Sequence, residues 1–187
     1  MTKYVKLLLT LNIGFFILLL ILGTKGLNLN GLMALYPVGS RYFDYYQFVT
    51  YMFAHGSFSH ILINMLVLFS VGPKLEEKFG SDRFLNFYLI TGIVGGLSHI
   101  FLYNTPVIGA SAAVWGILAT YAIIYPNERL YFWFILPIKS IYLVGVLFFY
   151  EIISIFTSDG ISHVGHVAGG LTGLIFYYSL NKSKKIN

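Results

Sequence analysis

The sequence contains no cysteine, and this absence excludes several kinds of chemistry. A chain without thiols has no disulfide framework, no thiolate nucleophile and no cysteine-ligated zinc or iron–sulfur centre. Charged residues are also scarce, at 10% of the chain compared with roughly 25% in soluble domains. Because 57% of the 187 residues are hydrophobic, a soluble globular fold is excluded, and we expect the chain to lie mainly in a lipid bilayer.

The basic residues do not indicate a nucleic-acid-binding protein, although the net charge is +5 and the pI is about 9.3. Lysine and arginine occur singly around hydrophobic runs and form no dense basic face for a phosphate backbone. We therefore expect no nucleic-acid partner and attribute these charges to membrane topology.

Hydrophobic runs, uncharged except for Glu151 in the fifth, predict six transmembrane helices across a hydrocarbon core about 30 Å thick. We expect the first run to be retained, because its apolar core exceeds the roughly 7–15 residues of a signal peptide and no cleavage site follows. Pro73 and the charged run Lys74, Glu76, Glu77 and Lys78 are expected to end the second span, with that run exposed to solvent. The predicted spans are 7–24, 58–73, two within 84–127 separated at Asn104-Thr105-Pro106, about 140–157 and about 162–181.

The distribution of basic residues predicts the orientation. With both termini in the cytoplasm, ten of the twelve lysines and arginines lie inside, and only Lys25 and Arg41 lie outside. Three aromatic residues near Arg129 fit the inner membrane interface: Tyr125, Tyr131 and Trp133. We therefore expect an all-α membrane protein in which residues 1–187 form a single six-helix transmembrane domain with both termini cytoplasmic.

Polar side chains inside the spans are the candidate functional residues, because each is costly in lipid. His60 and Asn64 lie four residues apart on one face of the second span, Ser111 opens the fourth span and His166 lies in the sixth. All three spans run from outside to inside in the predicted orientation. These residues therefore share one depth in the outer leaflet, and a single site is geometrically possible.

Small residues indicate that spans four and six approach each other closely. Gly169 and Gly173 form a GxxxG spacing three and seven residues after His166, which places the histidine on the contact side and near Ser111. The small residues are Gly109, Ala110, Ala112, Ala113 and Gly116 on span four, and Gly165, Ala168, Gly169, Gly170 and Gly173 on span six.

A serine beside a histidine is the minimum for nucleophilic catalysis. None of the seven carboxylates has a spacing that obviously orients His166, so a dyad is favoured over a triad. Three roles are open to Glu151 in the fifth span: pairing with a partner, protonation, or facing a water cavity beside a substrate gate. We expect His163 to be a solvated loop residue, and His55 to cap or brace the start of the second span.

Three motifs together resemble the rhomboid family of intramembrane serine proteases, from about Gln47 to about Gly173. They are HGSFSHILINM at the second span, GASAAVWG at the fourth and HVAGGLTG at the sixth. The resemblance implies a six-helix core with an outward-facing cavity. Its site residues are Ser111 as nucleophile in a motif with Gly109, His166 as general base, His60 and Asn64 as oxyanion donors, and Trp115 packing on the histidine.

The implied reaction is hydrolysis of a peptide bond in or beside a transmembrane segment of another membrane protein. The resemblance implies no metal and no cofactor, and the compact chain is typical of a prokaryotic plasma membrane. Two alternatives stay open: a catalytically inactive relative that binds transmembrane clients, and a metal transporter with His60, His163 and His166 as ligands.

Overall fold

The computed structural model describes residues 1–132 and 135–183, and most of these residues are helical. The long helices are α1 (Lys3–Gly23), α4 (Phe58–Phe79), α5 (Ser81–Tyr103), α6 (Ser111–Ile124), α7 (Ser140–Ile153) and α8 (His163–Ser183). Between α1 and α4 lie the short helices α2 (Leu29–Met33) and α3 (Gln47–Thr50) and the 3-10 turn Tyr51–Phe53. Within these residues, three helices, α1, α4 and α5, are long and apolar enough to cross a membrane, and α6 and α7 are shorter apolar helices.

Each predicted hydrophobic span coincides with one long helix. The predicted break in the long uncharged stretch is confirmed, because α5 ends at Tyr103 and α6 begins at Ser111. Asn104 caps α5 in the left-handed conformation, with φ of 52°, and its N–H bonds the Ile100 carbonyl. An asparagine tolerates this conformation better than most residues, which explains why the chain turns here.

The prediction that Pro73 ends the second span is wrong. Helix α4 continues through Pro73 to Phe79 and ends at Gly80, whose φ of 83° suits glycine. Proline removes one helical N–H, but packing against a neighbouring helix stabilises the flanking turns. That packing is close, because an added Cβ on Gly72 would lie 3.0 Å from Val5 Cγ2 on α1.

The prediction that the whole charged run after Pro73 is solvent-exposed is also wrong, because Glu76 is buried. Its carboxylate accepts hydrogen bonds from the backbone N–H groups of Tyr4 and Val5, each at 2.9 Å, and from the hydroxyls of Thr2 and Ser81. The first turn of any helix has N–H groups without intrahelical partners. Glu76 therefore caps α1 from α4.

Helix α6 lies at the centre of the bundle and contacts α4, α5, α7 and α8. Its Gly116 packs on Thr91 of α5 and, through its carbonyl, on Gly173 of α8. Ile117, one residue further, is completely buried. The small residues of α6 thus allow helices on two sides to approach its backbone, which fixes where its first residue lies.

A two-stranded hairpin between α6 and α7 was not predicted. Strands β1 (Arg129–Phe132) and β2 (Leu136–Lys139) pair antiparallel with Arg129 opposite Lys139. Tyr131 is largely exposed, as a residue at a membrane interface would be. Trp133, assigned to the same aromatic belt, and the tail residues Lys184 and Lys185 lie outside the described residues.

Candidate active site

Ser111 is the first residue of α6 and is partly exposed, and a glycine sets its position. Gly109 has a φ of 122°, a backbone conformation that residues with a side chain rarely adopt. Its N–H donates a hydrogen bond to the Tyr51 carbonyl at 2.8 Å. An added Cβ would lie 2.6 Å from Cε1 of the His60 ring. Gly109 is thus required both by the backbone turn and by the histidine that packs on it.

The predicted contact between Ser111 and His166 is present. The Ser111 Oγ lies 2.8 Å from Nε2 of His166, which projects from the first turns of α8. The side chain of His166 is buried, and the Trp115 ring lies 5.9 Å from it, centroid to centroid, tilted by 33°. The tryptophan therefore packs on the histidine as the motif suggested.

The expectation that no acid accompanies His166 is wrong. Oε2 of Glu151, on α7, lies 2.9 Å from Nδ1 of His166, on the opposite side of the ring from Ser111. Glu151 is only 7% exposed, so it is a carboxylate inside the helical bundle. Of the roles left open for Glu151, the structure has it paired with a partner.

The expectation that His163 is solvated is also wrong, because His163 is completely buried. Its Nδ1 lies 2.6 Å from the same Glu151 oxygen, and its Nε2 lies 3.1 Å from Oδ2 of Asp159 in the loop before α8. The hydrogen bond from His163 lowers the pKa of the exposed Asp159 carboxyl. A continuous row of hydrogen bonds therefore runs from Asp159 at the surface to Ser111.

His55 braces the start of α4, as expected. Burial, with His60 nearby, lowers the pKa of His55 to about 4, so its ring is neutral at physiological pH. Its Nε2 lies 3.3 Å from Nδ2 of Asn64, and its ring meets the His60 ring edge to face at 4.9 Å. Asn64 is thus oriented by His55, while His60 packs on Gly109 next to Ser111.

Comparison with known proteins identifies the family to which this geometry belongs. Residues 42–183, more than half of the chain, match the Rhomboid domain family. The chain belongs to the rhomboid family. This rhomboid is 31% identical over 128 residues to RHOMBOID-like protein 4 of Arabidopsis thaliana, covering 67% of this chain and 32% of that protein.

Two further relatives carry the word protease in their names. Rhomboid protease GluP of Bacillus subtilis is 29% identical over 133 residues, which cover 71% of this rhomboid and 25% of GluP. Rhomboid-like protease 3 of Toxoplasma gondii is 30% identical over 153 residues, which cover 78% and 56% of the two chains. This rhomboid therefore spans between a quarter and just over half of the length of these relatives.

One group of side chains in the described part of this rhomboid has the composition of a metal site. Ligand atoms of Glu151, His163 and His166 all lie within 4.8 Å of one another, and His60, a ligand in the transporter hypothesis, is not among them. The closest pairs are 2.6 and 2.9 Å apart. Two ligands of one tetrahedral zinc lie roughly 3.3 Å apart, given bonds of about 2.0 Å. The distances fit hydrogen bonds.

Proposed function

We propose that this rhomboid is an intramembrane serine endopeptidase, with Ser111 as nucleophile and His166 as general base. The observation that carries the proposal is the 2.8 Å contact between Ser111 Oγ and His166 Nε2. A serine hydroxyl is a weak nucleophile until a base accepts its proton, and imidazole nitrogen is the usual base. Ser111 is partly exposed, so the residue is not sealed inside the bundle.

In the proposed reaction, the Ser111 oxygen attacks the carbonyl carbon of a peptide bond while Nε2 of His166 takes the hydroxyl proton. The tetrahedral intermediate collapses as the C–N bond breaks, and His166 gives the proton to the departing amine nitrogen. Water then attacks the acyl ester while His166 accepts its proton. The bond between the acyl carbon and Ser111 Oγ breaks, His166 returns the proton to Oγ, and the substrate leaves with a new carboxyl group. No metal or cofactor takes part in these steps.

The negative oxygen of the intermediate needs hydrogen-bond donors. The first turn of α6 supplies backbone N–H groups, because the helical bonds begin with the Val114 N–H to the Ala110 carbonyl. Among these N–H groups we assign that of Ser111, together with the side chains of His60 and Asn64. The Asn64 amide carries two N–H bonds, so one is free for the substrate when His55 accepts the other.

The proposed substrates are transmembrane segments of other membrane proteins, cleaved within the segment or beside it. Family membership and the position of Ser111 at the end of an apolar helix support this substrate class. We further propose that residues 1–187 act as one six-span domain with both termini cytoplasmic, in a prokaryotic plasma membrane. The site then opens towards the outer side of the membrane.

The serine chemistry is tested with a fluorescent fluorophosphonate probe on detergent-solubilised protein. Wild type should become labelled, and Ser111→Ala and His166→Ala should not, because the probe reacts only with an activated serine. Ser98→Ala is a matched control, since Ser98 bonds the Val94 carbonyl of its own helix. It should label like wild type. Absence of labelling in folded wild type would contradict the proposal and favour client binding without cleavage.

The orientation is tested in intact cells by cysteine labelling, since the chain has no native cysteine to interfere. Lys25→Cys should react with a membrane-impermeant maleimide added outside intact cells, and Lys78→Cys should react only after the membrane is opened. The reverse pattern would overturn the assignment of both termini to the cytoplasm.

A further inference from the structure

We infer that Glu151 is a positioning residue that holds His166 in the tautomer and orientation required to accept the Ser111 proton. The inference rests on the proposed function and extends its Ser–His pair to a Ser–His–Glu triad. It arises from a contact between α7 and α8, in which Glu151 Oε2 lies 2.9 Å from His166 Nδ1.

The first step of the argument concerns the proton on the His166 ring. An ionised carboxylate only accepts hydrogen bonds, so the contact with Glu151 requires the hydrogen to be on Nδ1. In the neutral ring the other nitrogen, Nε2, is then unprotonated, and it is this nitrogen that lies 2.8 Å from Ser111 Oγ. Without Glu151, either tautomer is available to the ring, and the one with a proton on Nε2 is unable to act as the base.

The second step concerns the charge that develops during the reaction. When His166 takes the serine proton it becomes a cation inside the bundle, where desolvation makes an isolated charge costly. A carboxylate already in contact with the ring offsets that cost at the moment the cation forms. Glu151 is therefore expected to act on the chemical step and to have little effect on substrate binding.

The third step concerns what holds Glu151 itself. His163 contacts the same carboxylate oxygen through Nδ1 at 2.6 Å and the Asp159 carboxylate through Nε2 at 3.1 Å. A neutral imidazole has one N–H, so only the doubly protonated ring donates to both carboxylates. A cationic His163 between Glu151 and Asp159 partly neutralises the buried carboxylate and fixes its position.

The location of Glu151 on α7 gives the contact a mechanical consequence. Of the 14 residues of α7, only Ser140, Val144 and Glu151 are buried. Ser140 lies at the start of the helix and bonds the Tyr125 carbonyl, whereas Glu151 lies near its end. Glu151 is thus the polar attachment of this end of α7 to α8, and the orientation of His166 depends on that attachment.

The test compares Glu151→Gln and Glu151→Asp with wild type, using a transmembrane peptide substrate in liposomes. We expect Glu151→Gln to lower kcat by about 10²–10⁴-fold, by analogy with the acid of serine protease triads, while KM changes less than about twofold. Glu151→Asp retains the charge on a shorter side chain and should recover at least about tenfold of the loss. Glu76→Gln is the matched control, because Glu76 is also a buried carboxylate but caps α1 instead of contacting His166. It should lower stability without lowering kcat.

A spectroscopic measurement separates positioning from packing. In wild type labelled with ¹⁵N-histidine, His166 should have a protonated Nδ1 whose proton resonates far downfield, as expected for a strong bond to a carboxylate. Glu151→Gln should remove this signal. A wild-type spectrum in which the His166 signals, identified by their loss in His166→Ala, place the ring proton on Nε2 would overturn the inference even if no Glu151 variant folds.

Ser111→Ala, measured in parallel, separates the two proposals. If Ser111→Ala still cleaves the substrate, the proposed function fails. If Ser111→Ala is inactive but Glu151→Gln cleaves like wild type, only the role of Glu151 fails. The role of Glu151 would also be overturned if Glu151→Gln and Glu151→Asp lost kcat equally and both variants kept the downfield signal. Stoichiometric zinc in the purified protein, with activity lost to a chelator, would overturn it as well.

Discussion

Gly169 of α8 lies directly against the main-chain carbonyl of Ala112 in α6, so close that a methyl group on Gly169 has no space. One turn further, an added Cβ on Gly173 would lie 2.7 Å from the Gly116 carbonyl oxygen. Two glycines at this spacing thus allow the backbones of α6 and α8 to touch. This contact brings the start of α8, with His166, next to the start of α6, with Ser111.

Replacing Gly169 by alanine should therefore separate the two helices. The obstructing atoms belong to the backbone of α6, which is unable to move aside as a flexible side chain would. We expect Gly169→Ala to destabilise the fold by about 1–3 kcal/mol and to slow fluorophosphonate labelling, because the Ser111–His166 distance increases. Thermal unfolding in detergent and the labelling rate measure the two effects.

Gly145→Ala is the matched control for Gly169→Ala. Gly145 lies in the exposed part of α7, and an added Cβ meets nothing within 4 Å. Alanine in such a helical position should raise stability by about 0.5–1 kcal/mol. If both alanines change stability equally, the approach of α6 and α8 does not depend on Gly169.

The approach of α6 and α8 could be predicted from sequence because small residues at helical spacing mainly serve to let membrane helices pack closely. Ser111 and His166 followed from it, since each lies at the start of its own helix. The partner of His166 could not be predicted in this way. Helix α7 is apolar on nearly all sides, so its sequence does not indicate which face meets α8. The signal that was available was Glu151 itself, a carboxylate in an otherwise uncharged span.

The burial of His163 and Glu76 could not be predicted, for a related reason. Each lies near the end of a helix, where a charged or polar side chain usually faces water. Both are buried because another helix supplies a partner: Glu151 of α7 contacts His163, and the start of α1 contacts Glu76. Such contacts depend on tertiary packing, and neither hydrophobic periodicity nor local spacing contains them.

Asn64→Ala should slow cleavage. It should change stability no more than the replacement of another buried asparagine by alanine does. Its amide is oriented by His55 at 3.3 Å, and loss of one oxyanion donor typically costs about 10²–10³-fold in kcat. Asn12→Ala is the control, because Asn12 is fully buried in α1 and bonds the Leu8 carbonyl of its own helix. An Asn64→Ala protein with wild-type kcat would remove Asn64 from the proposed oxyanion site.

Glu76→Gln should lower stability through the start of α1. The carboxylate accepts two backbone N–H bonds from Tyr4 and Val5, and hydrogen bonds to a charged group contribute about 1.5–3 kcal/mol. We expect a loss of about 2–3 kcal/mol, measured by denaturation in detergent. Glu77→Gln, at the exposed neighbouring position, should change little. Equal stability of the two variants would show that the cap does not hold α1 in place.

Asp159→Asn should change stability in a pH-dependent way. The hydrogen bond from His163 depresses the pKa of the folded Asp159 carboxyl below its unfolded value, about 3.9. A depressed pKa contributes stability that is present above the unfolded pKa and is lost as pH falls through the folded pKa. Wild type should therefore unfold at a higher temperature than Asp159→Asn near pH 6–7, and the two curves should converge as the pH falls below about 4.

The same substitution in a His163→Gln background tests whether His163 causes this pH dependence. Removing the donor should reduce the difference between aspartate and asparagine at position 159, because the coupling of two residues in contact disappears when either is replaced. The part that stays is due to the Ile161 N–H, which donates to Oδ1 of Asp159 at 3.0 Å. Unfolding temperatures of the four proteins, measured at each pH from about 3 to 7, give the coupling directly. A difference that is undiminished without His163, or that grows as the pH falls, would mean that Asp159 is stabilised mainly by something other than the row of hydrogen bonds leading to Ser111.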